Sequence, residues 1–153
     1  MSGISPEQMF TLTNAVILPG WFAIVLAPSS RWSYTLGCTC SAIVSVLYVY
    51  CLYTAMANKP EDAAPVDFFS LEGITRVFRE SDVYGISAAW YHYVAGDLIA
   101  GMFIAQDAAK RGVSRVLMAP VLFVTMMLMP AGFVLYQVLK AVLCRQVPKQ
   151  ATE

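Results

Sequence analysis

SYTLGCTCSAIVSVLYVYCLYTAM, residues 33–56, decides the fold, because it runs for 24 residues without a charge. As a helix it rises about 36 Å, more than the roughly 30 Å of a bilayer's hydrocarbon core. A helix of a water-soluble bundle needs a polar stripe to face solvent, and this stretch offers none that is charged. Working outward, three more segments reach spanning length: Met9–Ala27, Val83–Ala105 and Leu117–Leu143. The expectation is an all-α polytopic membrane protein, one domain over residues 1–153. Its four transmembrane helices would lie at about 9–27, 33–56, 83–105 and 117–143, with a short interfacial helix between the second and third.

Composition agrees. The chain is 58% hydrophobic and 13% charged, against roughly 25% charged in ordinary soluble domains. Ten Lys and Arg balance ten Asp and Glu, so no basic surface points to a nucleic acid. The first 20 residues hold no Lys or Arg, which is unlike a signal peptide. The expected location is a bacterial inner membrane or, if a targeting segment is missing, a plastid membrane. Four cysteines, Cys38, Cys40, Cys51 and Cys144, do not form a secreted disulfide pattern. Cys38 and Cys40 point to opposite sides of a helix and read as packing.

Local signals refine the picture. Ser5-Pro6-Glu7 suits a helix entry. Pro19-Gly20 in the first helix and Pro130 in the fourth predict kinks. Residues 27–32 form a tight connection, with Trp32 as an interface anchor. Ser70 is a good N-cap, and Phe69 is placed to staple against Ile74. Leu71, Ile74, Val77 and Phe78 then recur at helical spacing, which suits a short helix on a membrane surface. Gly85/Ala89 and Gly101/Ala105 offer small faces for close helix packing. Four crossings would put Lys59, Arg76, Arg79, Lys140, Arg145 and Lys149 on one side and Arg31, Lys110, Arg111 and Arg115 on the other. That division sets no orientation by the positive-inside rule.

Asp97 is the most informative polar residue. An acid near the centre of a span costs about 2.5 kcal/mol or more on insertion scales, and no Lys or Arg lies deep enough to pair with it. It must be protonated, hydrated, or bonded to His92, Asn14, a tyrosine or a ligand, and a neutral acid there suits general acid catalysis. His92, five residues earlier, points about 140° away, so the two do not form a simple dyad on one helix. Tyr48 lies deep enough in the second helix to line a site. Glu72 suits the positive end of its helix and becomes a catalytic candidate only if that helix folds over the bundle. Asp107 is spaced to bond Lys110 or Arg111. No histidine cluster suits a metal, and no glycine motif suits a nucleotide.

The run Trp90-Tyr91-His92-Tyr93-Val94-Ala95-Gly96-Asp97-Leu98 resembles the signature of the ABA4-like family, the neoxanthin-synthase-related membrane proteins. The likeness extends to Phe69-Ser70-Leu71-Glu72-Gly73, to Asn14, Pro19, Trp21 and Pro28, and to Gly101, Asp107, Pro120, Thr125, Pro130, Gly132 and Tyr136. Gly96 departs from it, since family members usually carry a bulky aromatic there. The resemblance implies a cofactor-independent carotenoid isomerase that opens an epoxide by acid and base catalysis. Asp97 would supply one role and His92 or Glu72 the other. Asn14 and Tyr136 would orient the end ring, and Trp21, Trp90 and Tyr48 would contact the polyene. The alternative is a membrane protein that binds a carotenoid or other polyprenoid lipid without reacting it. A small transporter and a scaffold are weaker readings. Membrane lipids and a homodimer are the further partners expected.

Overall fold

The computed structural model describes residues 4–61 and 65–144, and all its regular structure among them is helical. Six helices follow in order: α1 (Pro6–Leu26), α2 (Arg31–Ala57), α3 (Leu71–Glu80), α4 (Val83–Lys110), α5 (Arg115–Met127) and α6 (Met129–Cys144). Asp62, Arg145, Lys149 and the side chain of Cys144 lie outside the described residues. By length and composition, α1 and α2 are each able to cross a membrane.

Caps set the starts. Ser5 and Gln8 form a reciprocal capping box on α1, with Pro6 in its first turn. Ser70 accepts a hydrogen bond from the Gly73 amide at 3.0 Å, and Asp82 accepts one from the Gly85 amide at 2.8 Å. The expected staple is not made, because Phe69 is fully exposed. The Asp67 carboxylate orders the turn before α3 instead, accepting from the Phe69 amide and the Ser70 hydroxyl. α1 continues through Pro19 as a single helix, so the expected kink there does not become a broken turn.

Helices α1, α2 and α4 form the core of the bundle. Gly20 brings α1 close to Cys40 and Gly37 of α2 and to Leu98 of α4, and Gly101 of α4 lies against the ring of Trp21. Missing side chains at these crossings let large neighbours fill the space, the device that small residues serve in membrane bundles. Cys40 and Cys51 are buried in this core, and Cys38 is half-buried.

The expected fourth span, 117–143, is two helices. The chain leaves helical geometry at Leu128 (φ −148°, ψ 73°), two residues before Pro130. The break is a reversal, not a kink. If the helix ran straight, Tyr136 would lie about 30 Å along the axis from Arg115. Yet Tyr136 and Lys140 both bond Asp107, one turn from the end of α4. Gly132 sits directly on Thr125 across the fold. α5 and α6 are therefore a helical hairpin whose second arm returns to the end where α4 stops.

This changes the charge map. One end of the bundle carries Arg31, Lys110, Arg111, Arg115 and Lys140 with a single carboxylate, Asp107, among the described residues. The other end carries Glu7, Glu61, Asp67, Glu72, Glu80 and Asp82 with Lys59, Arg76 and Arg79. The even-handed distribution expected from four crossings is replaced by a cationic end and an acidic end.

Candidate functional site

Asp97 lies in the middle of α4 and is half-buried, and among the described residues no hydrogen bond or ion pair reaches its carboxyl. At 3.6 residues per turn it falls within about 20° of Trp90, Ile104 and Ala108 on the helix surface. Ile104 and Ala108 are fully covered. Their cover is α5, which packs into the groove between α1 and α4 with Met118 and Leu122 beside Ala105 and Ala108.

α5 has 13 residues and runs antiparallel to α4. Counting 13 back from Lys110 reaches Leu98, beside Asp97. By that count the hairpin reaches along the α1–α4 groove as far as Asp97, and among the described residues no further helix packs into the groove above it. Asn14 and Trp90 form its upper wall, joined by a long hydrogen bond of 3.4 Å from the indole Nε1 to the amide Oδ1. Phe10 stacks obliquely on Trp90 at 5.9 Å. Tyr93, the next residue after His92 on α4, is exposed.

The other candidate residues are dispersed. His92 faces α2, with its ring 5.7 Å from Tyr48, on a different face of α4 from Asp97. Glu72 is exposed on α3, at the acidic end. Trp21 is buried against Gly101 in the core. Tyr136 is buried too, and its hydroxyl donates to Asp107 Oδ2 at 2.6 Å. Of the eight candidates, the structure joins Asn14 to Trp90 and sets Tyr48 beside His92, while Asp97 shares the helix face of Trp90 two turns further along α4.

A second polar cluster was only half visible in the sequence. Asp107 bonds Arg111 at 3.1 Å, the spacing expected on one helix, and Lys140 of α6 at 2.8 Å. Hydrogen bonds from Arg111, Lys140 and Tyr136 hold its carboxyl below the usual carboxylate range. The bonds from Lys140 and from Tyr136, which the resemblance had given to the end ring, were missed because the hairpin, not the spacing, brings these residues to Asp107. Among the described residues no three His, Cys, Asp or Glu side chains group as a metal would need.

No curated protein and no solved structure matches this chain. A family model does, and it covers residues 8–136. That stretch includes Asn14, Trp90 and Asp97, Asp107 with its partners Arg111 and Tyr136, all of α5 and the first half of α6. The chain belongs to the ABA DEFICIENT 4-like family.

Proposed function

We propose that this protein crosses a membrane with α1, α2 and α4, and that the α5–α6 hairpin re-enters from one side. At 13 and 16 residues, these arms rise about 20 and 24 Å, short of a full crossing. The proposed substrate is a long oxygenated carotenoid or related polyprenoid. It enters sideways from the lipid into the α1–α4 groove above the hairpin tip, and the reaction is an isomerisation. Family membership supports the substrate class. The observation that carries the reading is Asp97, a half-buried acid in the middle of α4 with no hydrogen-bond or ion-pair partner among the described residues.

In this scheme neutral Asp97 donates its proton to an epoxide oxygen as the carbon–oxygen bond breaks. The polyene takes up the positive charge beside the face of Trp90, where a cation is favoured. The Asp97 carboxylate then removes a proton from the neighbouring polyene carbon, leaving an alcohol and an allene. Atoms balance, and the carboxyl ends as it began. One group performs both transfers because His92 faces α2 from another side of α4 and Glu72 is exposed on α3. Asn14, held by Trp90, orients the end ring.

Purified protein in lipid nanodiscs should convert an epoxycarotenoid to an isomer of equal mass, resolved by chromatography. Asp97→Asn should lower turnover by at least about 100-fold, the lower range for a general acid or base. Full turnover in Asp97→Asn would sink the assignment. A second reading is binding without chemistry, favoured by Asp97 being the one carboxyl in the middle of α1, α2 or α4 among the described residues. Recovery of the pigment unchanged, bound by wild type and weakened by Trp90→Ala, would select it.

A further inference from the structure

We propose that the cationic end holds one anionic phospholipid, in a cavity separate from the Asp97 groove. The cavity is about 290 Å³ and lies where the α1–α2 turn meets the α4–α5 turn. Its depth is apolar, formed by Val25, Ala105 and Leu122, and its mouth is polar, formed by Ser29, Ser114 and Arg115. That gradient matches the junction between a phosphate headgroup and an acyl chain.

Charge decides which lipid. Five cations and one carboxylate among the described residues stand at this end, and two of those cations already bond Asp107. Arg115 spends one N–H on the Leu26 carbonyl at 2.8 Å. A guanidinium has five N–H donors, so the others stay available to a phosphate at the mouth. The Ser114 hydroxyl makes no capping bond on α5, which leaves it free to donate to the same oxygens. Trp32, largely exposed at this end, suits the headgroup level. The occupant is therefore a lipid phosphodiester with net negative charge, such as phosphatidylglycerol, its chain lying along the wall of α1 and α5.

The test is native mass spectrometry of the full chain in detergent, titrated with phosphatidylglycerol, phosphatidylcholine or inorganic phosphate. One phosphatidylglycerol should be retained about tenfold more strongly than phosphatidylcholine, a difference readily resolved as affinity. Ala109→Leu, which fills the cavity, and Ser114→Glu, which places a negative charge at its mouth, should each abolish most of that preference. Helicity and melting temperature confirm that both variants are folded, and Ser114→Glu also suits the start of a helix. Lys110→Gln, at the same end but outside the lining, should change retention less than about twofold. Equal retention of the two lipids overturns the proposal. So does a loss in Lys110→Gln as large as in Ser114→Glu, which would mean diffuse attraction without a site. Displacement of the lipid by millimolar inorganic phosphate would also overturn it. Asp97→Asn should leave retention unchanged, so this site and the groove chemistry stand or fall separately.

Discussion

Glycines divide sharply by what surrounds them. A Cβ added at Gly101 would lie 2.6 Å from two ring carbons of Trp21. The ring has no room to retreat, being buried in the core. Gly101→Val should cost about 1–3 kcal/mol, as overpacked cores do, read as a lower melting temperature in detergent. Gly96 is the opposite case. A Cβ there meets nothing within 4 Å, so Gly96→Phe should leave stability within about 0.5 kcal/mol, as surface substitutions do. A stability loss near that of Gly101→Val would show the position is packed after all.

At the scale of elements, the hairpin depends on two contacts. Gly132 touches Thr125 across the fold, where an added Cβ would meet backbone at 2.5 Å, so Gly132→Val should force the arms apart. Further down, Asp107 ties α6 to α4. A double-mutant cycle of Asp107→Asn and Tyr136→Phe should give a coupling of about 0.5–3 kcal/mol, the range for bonded neighbours. No coupling would mean that the two side chains do not hold the hairpin. The sign of the pH dependence follows from the lowered carboxyl of Asp107. Its contribution is complete above the ordinary aspartate value of about 3.9 and is lost as pH falls from there toward the folded-state value. Asp107→Asn should flatten the acid limb of the stability curve over that window. An unchanged acid limb would assign the pH dependence to other groups.

For the whole molecule, the hairpin changes where charge lies. Lys140 joins Arg31, Lys110, Arg111 and Arg115 at one end, while carboxylates gather at the other. By the positive-inside rule, the cationic end should face the cytoplasm, or the corresponding side of an organelle membrane. With the native cysteines replaced, single Ser29→Cys and Glu61→Cys variants would mark the two ends. In intact cells an impermeant maleimide should label the Glu61→Cys variant and spare Ser29→Cys. The reverse pattern would overturn this orientation.

Sequence alone determined the all-helical class, the extents of α1 and α2 to within about three residues, a short helix capped by Ser70, the helix entry at Ser5-Pro6 and the family likeness. These follow from local causes: apolar length, cap chemistry and a contiguous run of residues. It marked Asp97 for the same reason, since the cost of an acid in an apolar segment needs no partner to be seen. Tertiary structure decided that residues 117–143 fold back on themselves. A single residue, Leu128, leaves helical geometry there, and an apolar run has the same hydrophobic pattern whether it is straight or reversed. From that reversal came the Asp107–Tyr136–Lys140 cluster and the uncovered groove above the hairpin, whereas the offset of His92 from Asp97 on α4 was already set by helical periodicity. Contacts between residues about 30 positions apart along the chain depend on which way the intervening helices run, and periodicity does not record that direction.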